Sequence, residues 1–201
     1  MRVGILGGTF DPPHIGHLVL AAEAQSQLEL DRILWVLTPF PPHKAGQEIT
    51  PIEHRLDMLL AMITDNPGFE LSRVDLDRPP PHYALDTVRL LTSSHLRDEM
   101  IYLMGGDSLR DLPTWHRPRD FVMACEAIGV MRRPGDEIDL DALETIIPGL
   151  TKKVRYIQAP LIDISSSMIR QRIASGQSYR YFLPPEIYQY IRRYRLYHPA
   201  P

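Results

Sequence analysis

Six short strand-like runs recur along the chain, at Arg2–Leu6, Arg32–Leu37, Phe69–Val74, Met100–Met104, Ala127–Met131 and Val154–Gln158. Several are apolar almost throughout, with no polar alternate residue to turn towards water. A strand of that kind has to be covered on both faces, as in a parallel sheet between helical layers. Helical periodicity fills most of the intervals, over Ile15–Leu28, Ile52–Ile63, Tyr83–Ser94 and Pro118–Ala124. The alternation predicts a three-layer α/β/α, Rossmann-like fold with a mainly parallel sheet and right-handed crossovers. In such a sheet, ligands bind at the carboxyl ends of the strands. Many of the 19 prolines fall in loops such as "TPFPPHK" and "DRPPPH".

The chain of 201 residues fits one domain, 1–201, large enough to bury a substantial core. No internal repeat or low-complexity linker divides it. The tail predicts a C-terminal helical segment in two parts. "ISSSMIRQRIASG" opens on serines able to cap a helix and closes on Gly176, a suitable C′ residue. "PPEIYQYIRRYRLYH" sets Ile187, Tyr190, Ile191 and Tyr194 on one packing stripe and leaves Gln189, Arg192 and Arg193 to solvent.

Charge excludes some classes of partner. A formal net charge of -3 and a pI near 6.2 supply no global attraction for nucleic acid or an anionic membrane. An anion site must therefore be a local cluster. Cys125 is the only cysteine, so no intramolecular disulfide can form, and its apolar surroundings in "VMACEAIGVM" make it a buried core thiol. No signal-peptide pattern precedes the first strand, and no apolar run approaches the roughly 20 residues of a membrane span. These features predict a cytoplasmic protein; monomer and homo-oligomer both stay open.

The first strand runs into "GGTFDPPHIGH". Gly7 and Gly8 let backbone N–H groups approach an anion, and the helix that follows offers its positive end. Thr9 and Asp11 can hydrogen-bond the turn itself. The third glycine of a dinucleotide-binding loop is missing; His14 and His17 stand instead on one face of a helix starting near Pro13. Two satisfied buried histidines are one account of the pair. Zinc suits it poorly, since no cysteine or obvious third ligand accompanies it. Two donors aimed at a phosphate explain the glycines and the histidines together.

"GGTFDPPHIGH" resembles the nucleotidyltransferase superfamily, whose H-x-G-H element binds nucleoside triphosphate phosphates. Within it the chain is similar to the bacterial nicotinate mononucleotide adenylyltransferases. "PPHK", "HR", "YALDT", "GGDSLRDLPTWH", "RRPG", "ISSSMIR" and "LPPEIYQYIRRYRLY" follow in that family's order, so the likeness spans residues 3 to 197. It implies a nucleotidyltransferase fold and transfer of the adenylyl group of ATP to nicotinate mononucleotide, with Mg²⁺ carried on the ATP phosphates. A phosphate nucleophile is already anionic, so no general base is needed, and positioning with charge stabilisation suffices.

The resemblance also implies roles for particular residues. His14, His17, Lys44 and Arg170 supply donors and positive charge for catalysis. Gly7, Gly8, Thr9, Phe10, Gly105, Asp107, Ile164 and the serines Ser165, Ser166 and Ser167 bind ATP, together with His17 and Arg170. Lys44, Tyr83, Thr87, Trp115, His116 and Arg133 bind the mononucleotide, and no residue is assigned to a metal. Asp107 can hold a ribose hydroxyl or cap a helix. Trp115 can stack on a pyridine ring or fill the core. Arg132 and Arg133 can face phosphate or carboxylate, or lie in a solvated turn; Arg55 reads as structural. The family more often has "SYT" where this chain has His82, Tyr83 and Ala84. Phosphopantetheine adenylyltransferase and a non-catalytic nucleotide-sensing module are the alternatives. The first does not account for "GGDS…TWH"; the second does not account for the intact His14, His17, Lys44 and Arg170.

Overall fold

The computed structural model describes residues 1–41, 46, 48–132, 138–160 and 162–199. In chain order the elements are β1 (Arg2–Gly8), α1 (Ile15–Gln27), β2 (Arg32–Leu37), α2 (Ile52–Ile63), β3 (Phe69–Ser72), α3 (Ala84–Ser94), β4 (Glu99–Gly105), α4 (Gly106–Arg110), α5 (Pro118–Ala124), β5 (Ala127–Met131), α6 (Leu140–Ile146), α7 (Leu150–Lys153), β6 (Val154–Ile157), α8 (Ser166–Ala174) and α9 (Pro185–Tyr194). The strands form one sheet in the order β3-β2-β1-β4-β5-β6, and every pairing is parallel.

Period-two alternation divides the buried residues between two cores, one on each face. Leu6, Ile33, Trp35, Leu37, Ile101 and Leu103 point to the face covered by α1, α2, α8 and α9. Val3, Ile5, Leu34, Val36, Met100, Tyr102 and Met104 point to the other, beneath α3, α5, α6 and α7. Covering both faces explains why these strands carry no polar alternation. Gly4 and Gly129 mark where the layers press closest. A Cβ at Gly4 would lie 2.9 Å from Leu30 Cδ1, and one at Gly129 would lie 2.8 Å from Leu103 Cδ2. Cys125 is buried as expected, and burial pushes its thiol up to about 12.

Several boundaries move for local reasons. The third strand stops at Ser72 rather than Val74, because Ser72 Oγ accepts from the Val74 N–H and residues from Arg73 close a turn with Asp77. In the tail, Ser165 caps α8 by accepting from the Met168 N–H at 3.2 Å, and Gly176 takes the positive φ expected of it. Ile187 and Ile191 of α9 are fully buried, but Tyr194 is 45% exposed rather than part of the stripe. It lies instead over the neighbouring rings of His54 and Tyr190.

Candidate active site

The strand order reverses between β1 and β4, and their pairing stops early. It ends at Leu6 with Leu103, whereas β1 stays paired with β2 as far as Gly8 with Leu37. The last two residues of β1 therefore have no partner on the β4 side, and a crevice opens there. The glycines thus end a strand rather than make the turn, which begins at Thr9. Side chains around this crevice line a cleft of about 760 Å³.

His14 is the N-cap of α1 in extended backbone, not part of its first turn; His17 is the third helical residue. Their rings stack with centroids 3.7 Å apart. The His14 backbone N–H donates to His17 Nδ1 at 3.1 Å. That bond makes Nδ1 an acceptor and leaves Nε2–H as the donor of the His17 ring. A double-donor imidazolium at His17 would have to give this bond up, so His17 offers the cleft a single donor. Gly16 keeps the space: a Cβ there would lie 3.0 Å from His14 Nδ1. Phe10 is buried, meets the His17 ring edge-on at 5.0 Å and packs on Trp35. It supports the histidine from below and does not line the cleft.

Distant segments hold the turn in place. Asp11, expected to bond the turn itself, instead accepts from the Tyr197 hydroxyl at 2.8 Å and the Thr50 N–H at 3.4 Å. Burial, and next the Asp11 charge, push the Tyr197 phenol well up, so it remains a donor. Arg55 is 2% exposed, and its guanidinium donates to the carbonyls of Thr9, Thr38, Pro39 and Thr50. One planar cation thereby ties together the chain leaving β1 and β2 and the entry to α2. Burial pulls its pKa down, against the Asp11 charge. Arg170 donates to the Asp11 carbonyl at 2.7 Å and Ser166 Oγ to the Pro12 carbonyl at 2.8 Å. These contacts set α8 against the turn.

The opposite wall belongs to the first turn of α3 and the segment after α4. Tyr83 and His116 stack at 4.0 Å and 15°. Trp115 packs on Phe121 and Tyr102, as a core residue would, and its remaining surface borders the cleft. Thr87 lines the cleft with both of its protons already engaged: its hydroxyl donates to Asp75 at 2.8 Å and its N–H to the Tyr83 carbonyl. The amides that a helix leaves without internal partners fall earlier, at Ala84 and Leu85, and both residues line the cleft. Asp75, 2% exposed, also pairs with Arg78, which donates to the carbonyls of Pro81 and Tyr83. His82 is buried beside it, bonded to the Arg78 carbonyl and stacked with Phe40.

Of the residues singled out from sequence, Gly7, Gly8, Thr9, His14, His17, Tyr83, Thr87, Gly105, Asp107, Trp115, His116 and Ile164 line this one cleft. Asp107 lies within α4, whose N-cap is Gly105, and pairs with Arg110 at 2.8 Å; it is not a cap. Phe10, Ser165, Ser166, Ser167 and Arg170 do not line the cleft. Arg132 is exposed, over the Tyr156 ring. Lys44 and Arg133 lie outside the described residues. Asp75 and Tyr102 went unnoticed in the sequence. Among the described residues no group of His, Cys, Asp and Glu could hold a metal ion, and no helix is long and apolar enough to cross a membrane.

A parallel sheet with its cleft at the order reversal, and stacked histidines opening the first helix, define a nucleotidyltransferase. The chain belongs to the cytidylyltransferase-like family, whose profile matches residues 5–172. Within that family it is 44% identical, over 98% of its length and 91% of the relative's, to a "Probable nicotinate-nucleotide adenylyltransferase" of Thermomicrobium roseum. A protein of the same name from a Roseiflexus species is 43% identical over 97% of both chains. Among solved structures, nicotinic acid mononucleotide adenylyltransferase of Plasmodium falciparum complexed with NaAD superposes with a TM-score of 0.80. It covers 98% of this chain and 97% of its own at 21% identity, a likeness of fold.

Proposed function

We propose that the chain transfers the adenylyl group of ATP to nicotinate mononucleotide, giving nicotinate adenine dinucleotide and pyrophosphate in NAD biosynthesis. One observation carries this reading. A single cleft joins the stacked His14 and His17 to the aromatic wall of Tyr83, Trp115 and His116. A triphosphate on the turn and a pyridine ring at that wall would meet phosphate to phosphate. The curated relatives' names agree with it.

A mononucleotide phosphate oxygen attacks the α-phosphorus of ATP, and the bond from that phosphorus to the bridging oxygen of the β-phosphate breaks. The electron pair leaves with pyrophosphate, and no proton has to be removed from the nucleophile. What the protein must supply is alignment and donors for the charge growing on the α-phosphate and the leaving oxygen. His17 Nε2–H and the His14 ring provide them at the helix start, and Lys44 adds positive charge. Arg170 and Ser166 hold the turn through Asp11 and Pro12. The substrate is the magnesium complex of ATP, its cation travelling on the phosphates. Asp107 binds an ATP ribose hydroxyl. The lone buried thiol suits a reducing cytoplasm, where we place the reaction.

The amides of Ala84 and Leu85 fit the carboxylate of nicotinate better than the NH₂ of nicotinamide, which would set donor against donor. The test is pyrophosphate release from magnesium ATP with each acceptor. Nicotinate mononucleotide is expected to exceed nicotinamide mononucleotide by about 100-fold in kcat/KM. Equal use of the two would refute the specificity. Release with phosphopantetheine alone would refute the assignment.

A further inference from the structure

Tyr102 lies in the middle of β4, in register with Ile5 of β1 and Ile128 of β5. Its ring stands edge-on to Phe121 at 5.0 Å and to Trp115 at 6.1 Å. The residue is 7% exposed, yet it lines the cleft. Its hydroxyl presses on Gly7, 2.8 Å from where a Cβ there would stand. The missing side chain at Gly7 is what makes room for the phenol oxygen. No described residue hydrogen-bonds this hydroxyl.

The wall does not require an oxygen at this point. Phenylalanine would make the same ring contacts, and this oxygen, open to the cleft, is a donor left for what binds there. Burial, with Cys125 and Asp75 nearby, pushes the phenol's ionisation up, so it stays a neutral donor. On one side of it lies Gly7, next to last in β1, where the phosphates meet. On the other is Trp115, where the pyridine ring rests. What must span the two is the mononucleotide's ribose and phosphate.

We propose that the Tyr102 hydroxyl donates a hydrogen bond to a ribose or phosphate oxygen of the pyridine mononucleotide, which makes Tyr102 a binding residue for that substrate alone. The proposal rests on the adenylyl-transfer reading above. Tyr102→Phe removes the oxygen and keeps the ring. With saturating magnesium ATP, its KM for nicotinate mononucleotide should rise about tenfold, the usual scale for one lost hydrogen bond to a polar or charged acceptor. The ATP KM, the preference for nicotinate over nicotinamide and the Tm should stay at wild-type values. An unchanged mononucleotide KM, or a rise in the ATP KM instead, would overturn the proposal. A lost acid preference would move the hydroxyl to the base and overturn it too. A lowered Tm with both KM values raised alike would make the role structural. A wild-type enzyme inactive on nicotinate mononucleotide would defeat the functional reading itself, which the mutant comparison alone cannot do.

Discussion

At the scale of single residues, the site depends on side chains that touch one another before they touch any ligand. His17 is held by the His14 backbone N–H, the His14 ring and the Phe10 ring. Preorganisation of this kind keeps donors in place as charge develops. Trp115 divides its surface between Phe121 and the cleft, so its truncation should show two effects. Trp115→Ala should raise the KM for nicotinate mononucleotide roughly ten- to hundred-fold, the range for losing one aromatic platform beneath a base. The ATP KM should hardly move, while Tm falls through lost packing on Phe121. Steady-state kinetics with each substrate varied in turn checks this; a lowered Tm with both KM values intact would make Trp115 a wall residue only. The histidines were legible in the sequence because their spacing and the glycines before them are local. Asp75 was not, because "SRVDLDRPP" reads as a polar loop. Its importance comes from Thr87 and Thr38, which only the fold brings near. Tyr102 was hidden for the opposite reason, inside a strand where every neighbour is apolar.

At the scale of elements, β2, β5, α2 and α5 could be read to the residue, since each is a clean apolar run or helical stripe between breakers. The short helices α4, α6 and α7 could not, being too brief to show a period. Nor does local pattern reveal that the segment after α9 reaches back to the phosphate turn. Tyr197 and Asp11 are 186 positions apart, yet the phenol donates to the carboxylate at 2.8 Å. α9 is held on α2 by Tyr190, which donates to Asp57 and meets His54 Nδ1 at 2.9 Å. Tyr197→Phe should therefore cost about 1–3 kcal/mol, the penalty for leaving a buried carboxylate short of a partner. For a chain of this size that lowers Tm by several degrees, roughly 2–4 °C per kcal/mol. Thermal unfolding followed by circular dichroism reads the shift directly. An unchanged Tm would show that the bond contributes nothing.

At the scale of the whole molecule, the alternation of apolar runs and helical stripes settles the layers, but strand order lies beyond it. The order β3-β2-β1-β4-β5-β6 sets β1 beside β4, and the staggered end of that pairing opens the cleft. Residues from the first turn of α3 and from the loop after α4 then face the histidines across it. The central claim belongs to this assembly: the stacked imidazoles stabilise charge that appears only while the adenylyl group moves. Measuring kcat and the ATP KM of His17→Ala against wild type, with nicotinate mononucleotide saturating, tests it most directly. The account predicts a kcat lower by roughly 10²–10³, the usual effect of losing one transition-state donor. The ATP KM should change far less, since the contact strengthens chiefly in the transition state. His14→Ala should behave alike, and the double variant should lose less than the sum if both rings grip one developing charge. A His17→Ala enzyme with near-normal kcat would contradict the account and leave the pair a structural cap on α1.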